Sequence, residues 1–154
     1  MSHFFLDSSA LVKRYLEEDG TEWILAITAP EAEHVVVVAQ IAPVEVLSGV
    51  MRRAREGLLG ERATRDARLL IDRHARLEYQ VIALTDDVIR RAEDLLERHA
   101  LRASDAIQLA SALEASERLD MGAPGGLQFV SADVRLLAAA AREGLTTIDP
   151  NTRI

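Results

Sequence analysis

His3-Phe4-Phe5-Leu6-Asp7-Ser8-Ser9-Ala10-Leu11-Val12-Lys13 is the stretch from which the fold can be read. An apolar run, Phe4 to Leu6, stops at a carboxylate, and a helical pattern starts within two residues. Leu11, Val12, Tyr15 and Leu16 recur at helical spacing. Ser8 or Ser9 can accept a hydrogen bond from the first-turn N–H groups. A strand that ends in Asp and turns directly into a helix puts that Asp at the carboxyl edge of a sheet, where open α/β folds bind ligands. Taken alone, Asp7 reads equally well as a residue that opens a turn or caps the helix.

The same plan of strand, small residue, acid and helix recurs along the chain. His34 to Ala39 is a β-branched run without alternation, as in a parallel strand buried on both faces. Pro43 fits the first turn of the helix that follows, and Glu45 falls in that turn. Thr21 to Ala26 reads as a short helix closed by Ala29-Pro30. Arg62 to Leu77 reads as a helix with arginines on one side and Ala63, Ala67, Leu70 and Ile71 on the other. Gln80 to Leu84 is a third strand, and Thr85-Asp86-Asp87 starts a helix that runs to about His99. In Leu101-Arg102-Ala103-Ser104-Asp105-Ala106-Ile107-Gln108-Leu109-Ala110, Ser104 can cap and Asp105 lies in the first turn. The Ala and Leu content predicts a central, buried helix. A Gly/Pro-rich stretch, 120–126, is the clear loop. Leu127 to Val130 is a strand, Ser131-Ala132-Asp133 leads into a helix ending at Gly144, and Leu145 to Ile148 is a last strand. Alternating strands and helices predict a three-layer α/β/α fold with a mostly parallel central sheet of about five strands. The whole of 1–154 reads as one domain.

Composition sets the bounds. The chain has 154 residues, 49% of them hydrophobic and 28% charged, enough for a globular core. It has no cysteine, so thiolate metal sites and disulfides are excluded and a cytoplasmic protein is expected. The N-terminal apolar run lacks a basic leader, so no signal peptide is expected. No apolar run approaches the roughly 20 residues that span a bilayer. The net charge of −7 argues against a generic nucleic-acid coat but allows an enzyme that holds metal with its acids. Lys13 is the one lysine among 18 basic residues.

Asp7, Glu45, Asp105 and Asp133 share a topological position, at a strand end or in the first turn of a helix. Strand–helix alternation brings such positions to one sheet edge. Several carboxylates in one cleft resist ionising together unless a cation joins them. Oxygen-only donors suit Mg²⁺ or Mn²⁺. The four histidines, His3, His34, His74 and His99, show no paired spacing, which argues against zinc. No GxGxxG, Walker A or G-x-S-x-G motif is present. A receiver-like phospho-acceptor would need a lysine after a late strand, and Lys13 sits in the first helix.

Phe4-Leu6-Asp7-Ser8-Ser9-Ala10-Leu11-Val12-Lys13 resembles the opening of PIN-domain nucleases, especially VapC-type toxins. Leu101 to Ala110 resembles that family's central helix motif, and Phe129 to Leu136 with Ala140 to Gly144 its closing motif. The family glutamate falls on Glu45. The resemblance covers nearly the whole chain, and Pro43 before Glu45 departs from it. It implies a Mg²⁺- or Mn²⁺-dependent endoribonuclease, with Asp7, Glu45, Asp105 and Asp133 as catalytic metal ligands and Ser9 and Ser131 supporting them. Arg14, Arg52, Arg53 and Arg102 are the expected phosphate-steering residues. A homodimer, an RNA substrate and a small antitoxin partner are also implied, with no membrane role. An RNA-processing nuclease and a non-catalytic PIN-like module are the alternatives.

Overall fold

The computed structural model describes residues 1–119 and 125–153, so positions 120–124 of the expected loop lie outside the described residues. In chain order the elements are β1 (His3–Leu6), α1 (Ser8–Leu11), α2 (Thr21–Thr28), β2 (Val35–Ala39), α3 (Ala42–Arg55), α4 (Glu61–Leu77), β3 (Gln80–Ile82), α5 (Asp86–Arg98), α6 (Ala103–Leu119), β4 (Leu127–Val130), α7 (Val134–Arg142) and β5 (Thr146–Ile148). A 3-10 turn, Val12–Arg14, extends α1. No helix among the described residues is long and apolar enough to cross a membrane.

The five strands form one parallel sheet in the order β3-β2-β1-β4-β5. β1 therefore lies at the centre: the chain winds outward from it through β2 and β3 on one side, then returns to place β4 and β5 on the other. That is a topological switch point, and the crevice at the carboxyl end of β1 and β4 is where such sheets bind ligands. Pairing of Phe5 with Phe129 and Leu6 with Val130 fixes the register there. The Asp7 N–H donates to the Val130 carbonyl at 3.1 Å, one residue beyond the paired segment. Asp7 and Ser131 are thus held side by side by main chain before any side chain acts.

Because side chains alternate along a strand, β1 feeds two cores. Phe5, Val37 and Phe129 face one side, with Leu95, Ala106, Leu109 and Leu136 of α5, α6 and α7. Phe4, Leu6, Val36 and Val38 face the other, with Leu11, Ile24, Val46 and Ile71 of α1 to α4. This is the expected three-layer arrangement. The unalternated run in β2 is apolar because both its faces are covered. α6 is also as expected, with Ala106, Leu109, Ala110, Ala112 and Ala115 all buried.

Some local readings are corrected. In α4 only Ala67 and Ile71 of the four expected inward residues are buried, while Ala63 and Leu70 face solvent. The helix covers the sheet along a narrow stripe, so the wider apolar face is not used. β3 is an edge strand that ends at Ile82, and Val81 is exposed. α6 starts before Ser104: the Arg102 carbonyl already accepts the Ala106 N–H at 3.0 Å. Ser104 therefore lies in the first turn and does not cap it. Nor do Ser8 and Ser9 cap α1, because Asp7 Oδ1 itself accepts the Ala10 N–H.

Phe5 and Phe129 stack at 5.6 Å between ring centroids, both fully buried, on the two strands that carry the switch point. Phe129→Ala is expected to lower unfolding free energy by about 3–5 kcal/mol, the usual range for such a deletion. Urea denaturation measures it, and a loss under about 1 kcal/mol would mean the pair does not anchor the sheet centre.

Candidate functional site

Asp7 follows the last residue of β1 and is 3% exposed. Its carboxylate accepts three hydrogen bonds: Ser9 Oγ–H to Oδ1 at 2.7 Å, Ala10 N–H to Oδ1 at 2.9 Å, and Ser131 Oγ–H to Oδ2 at 2.6 Å. The two serines are themselves tied into the loop after β4. Ser9 Oγ accepts the Ala132 N–H at 2.9 Å, and Ser131 Oγ accepts the Asp133 N–H at 3.1 Å. Ser9 and Ser131 thus join the α1 start to the α7 start across the switch point. Asp133 caps α7 through the Arg135 and Leu136 N–H groups.

Burial pushes the Asp7 carboxyl up from its ordinary 3.8 to about 6. The three donors oppose that rise, and the charge of Asp105 adds to it. Asp105, in the first turn of α6, is also raised, by burial first and then by the charge of Asp133. The Arg102 main-chain N–H and guanidinium act in the opposite direction on Asp105. Asp105 thus carries its charge repulsion to both Asp7 and Asp133.

Above them lies a cleft of about 430 Å³ whose wall includes Glu45, Arg102, Ser104, Asp105, Asp133 and Arg135. Three of the four expected acids meet in this one cavity, and the fourth, Asp7, is linked to Asp133 through Ser131, whose hydroxyl donates to Asp7 and accepts the Asp133 N–H. None of the four forms an ion pair among the described residues. Among the described residues, no three carboxylate or imidazole groups already stand at the spacing of a closed metal cluster. The donor chemistry still fits a hard divalent cation: several carboxylates that supply oxygen and form no ion pair among the described residues.

Two residues outside the expected set join the site. Gln108 is 1% exposed, one turn beyond Asp105 on the same face of α6. Its Nε2–H donates to Glu45 Oε1 at 2.8 Å, while its Oε1 is buried without a partner among the described residues. A lone amide in an Ala/Leu run, three positions after the acid, was the available sequence signal. Arg135 is the second, two residues after Asp133, and it lines the cleft. Of the four arginines expected to steer phosphate, only Arg102 lines it. Arg14 donates to Tyr79 Oη at 2.8 Å and to Glu78 Oε2 at 2.9 Å, in a half-buried network with Tyr15 and His74. Arg53 pairs with Glu18 at 3.6 Å, and Arg52 is exposed in the last turn of α3.

Comparison with known proteins places the fold in a family. The family model of the PIN domain matches residues 4–142. Similar solved structures include FitAB bound to the IR36 DNA fragment, with a TM-score of 0.67 at 13% identity over 98% of this chain and 97% of that one. VapBC2 from Rickettsia felis, bound to a DNA fragment from its promoter, gives a TM-score of 0.63 at 10% identity over 95% and 97%. VapC20 from Mycobacterium tuberculosis, a sarcin–ricin loop cleaving toxin, gives 0.62 at 19% over 93% and 96%. No curated protein matches the chain.

The burial of Asp7 has a pH signature. The native carboxyl keeps its proton to about pH 6, whereas an ordinary one loses it near 3.8. The stability that protonation contributes is therefore complete below 3.8 and is lost as pH rises through about 6, an effect of order 3 kcal/mol. In metal-free buffer Asp7→Asn should abolish this part of the pH dependence. It should be more stable than the parent by about 1–3 kcal/mol at pH 7.5. Identical urea midpoints for the two proteins across that range would show that the buried charge imposes no such cost.

Proposed function

The chain belongs to the PIN-domain family, and on that premise we propose that it is a metal-dependent endoribonuclease, the toxin of a toxin–antitoxin pair. The observation that carries this reading is the meeting of Glu45, Asp105 and Asp133 with Arg102 and Arg135 in one cleft, with Asp7 tied to Asp133 through Ser131. Acids alone would repel a polyanion. Acids with guanidiniums at their rim suit a phosphodiester brought to a cation.

Asp7, Glu45, Asp105 and Asp133 would hold Mg²⁺ or Mn²⁺. When bound, such an ion supplies positive charge against the phosphoryl oxygens and acidifies water. The chain's own residues do the rest. Arg102 and Arg135 bind the phosphodiester and fix its orientation in the cleft. Ser9, Ser131 and the Ala10 N–H hold both oxygens of Asp7 in one rotamer, so that carboxylate does not reorganise during turnover. Gln108 fixes Oε1 of Glu45, while Oε2 accepts no hydrogen bond from the described residues. We assign Glu45 Oε2 the proton of the attacking water.

A cognate antitoxin belongs to this reading. FitAB and VapBC2, which share the fold, were solved as complexes bound to DNA. The reading also includes a homodimer, which analytical ultracentrifugation measures. Expressed without its antitoxin, the protein is expected to arrest growth through RNA cleavage.

Asp105→Asn should abolish cleavage of RNA while circular dichroism and the melting temperature stay near those of the parent. The loss should exceed the roughly 10–100-fold that removal of an outer-shell partner typically costs. EDTA should stop the parent enzyme, and Mn²⁺ should restore it. Full activity of Asp105→Asn, or of the parent in EDTA, would refute a metal-dependent nuclease.

Gln108→Leu keeps the volume and apolar packing of α6 but removes the donor to Glu45. Its kcat should fall by about 10–100-fold with KM little changed. An unchanged kcat would mean that Glu45 needs no support from α6.

A further inference from the structure

Beside the acidic cleft lies a second groove of about 290 Å³, walled by Arg98, His99, Arg135 and Arg142. It shares Ala100, Leu101 and Arg135 with the acidic cleft, so the two adjoin. Arg135 and Arg142 form no ion pair among the described residues, and both are exposed. Arg98 is bonded to Glu143, and no carboxylate lines the groove among the described residues. Arg135 and Arg142 are therefore the two guanidiniums left without an acid partner.

His99 supplies a second, independent observation. Its side chain is 8% exposed, and neither ring nitrogen has a hydrogen-bond partner among the described residues. The nearest acid, Glu143 Oε2, stands 3.8 Å from Nε2, beyond hydrogen-bond length. A buried imidazole that lines a basic groove and bonds to nothing is a donor without an acceptor. An oxyanion in the groove would satisfy it, and planar guanidiniums are the side chains best suited to the same oxyanion.

We propose that this groove is a phosphate subsite, which takes a phosphodiester flanking the scissile one along a single RNA strand. Arg135 and Arg142 would contact its oxygens, and His99 would donate a ring N–H. Arg135 belongs to both grooves and would bridge successive phosphates. The inference rests on the ribonuclease reading above, because the strand is taken to continue from the acidic cleft.

Binding of a fluorescein-labelled short single-stranded RNA, followed by anisotropy in EDTA over a range of salt, tests it without turnover. Arg142→Gln should weaken binding and reduce the slope of log affinity against log salt by about 0.7, the value for one phosphate contact on a single strand. Arg142→Lys should restore the slope. His99→Phe should weaken binding by about 10-fold, with the slope unchanged. Arg62→Gln, at the start of α4, should bind as the parent does. The subsite is refuted if the parent shows no salt-dependent RNA binding. It is also refuted if Arg142→Gln and His99→Phe match the parent in affinity and slope, or if Arg62→Gln loses as much. A parallel cleavage assay with Mn²⁺ separates the two readings. No cleavage by the parent, with RNA binding still dependent on Arg142 and His99, refutes the nuclease and keeps the groove. Cleavage by the parent, with Arg142→Gln unchanged in affinity and KM, keeps the nuclease and refutes the groove.

Discussion

A carboxylate taken out of water at the end of the central strand is the constraint around which this molecule is arranged. Asp7 has almost no exposed surface and forms no ion pair among the described residues. Ionised, it survives there only because three donors converge on it from two separate segments of the chain. Those donors exist because β1 and β4 pair in parallel with Leu6 opposite Val130. A slip of one residue would carry Ser131 away from Asp7 and turn Phe5 and Phe129 to the wrong core. Sheet register and site chemistry are therefore the same specification.

Glu45 is held by different means. It reaches the cleft from α3, in the layer opposite α6, and the Gln108 amide meets it from α6. The two helices belong to different cores, so this hydrogen bond spans the carboxyl edge of the sheet. Ser131 does the same between α1 and α7. Asp7 and Glu45 are thus fixed by neutral donors, and among the described residues neither pairs with an Arg or Lys. Neutral donors orient a carboxylate without cancelling its charge, and a cation-binding cleft needs that charge intact.

The fold was largely legible because the signals that decide it are local. An unalternated β-branched run, a Pro in a first turn, and an acid after each apolar strand are all properties of short windows. The positions of Asp7, Glu45, Asp105 and Asp133 followed from the βα alternation, which puts strand ends on one edge whatever the loops do. Partners across the fold were less legible. Whether Asp7 or Ser9 caps α1 depends on the side-chain geometry of a four-residue helix. That Arg14 is committed to Tyr79 and Glu78 depends on the residues just after α4 meeting the 3-10 turn, which lies sixty-odd positions away in the chain. Arg135 went unnoticed because one arginine after a capping Asp looks like any solvated helix residue. Its cleft is formed with the α5–α6 connection, which no window around 135 contains. Ala63 and Leu70 show the converse error, since helical periodicity marks a possible apolar face and only packing decides how wide a stripe is covered.

An acidic chain that acts on a polyanion faces a long-range conflict. The net charge of −7 repels RNA at distances up to the Debye length, about 8–10 Å at ordinary ionic strength. Attraction must then come from short-range contacts, where a few guanidiniums outweigh the mean field. The geometry of the cleft meets this condition, since Arg102 and Arg135 line it together with the acids. Placed there, they can meet phosphate at contact distance without neutralising the carboxylates in ion pairs. The same distribution disfavours loose, sequence-blind coating of nucleic acid, because the chain as a whole carries net negative charge. A strand would be held only where its phosphates and the cleft coincide, and local arginines on an acidic body are a direct way to obtain that selectivity.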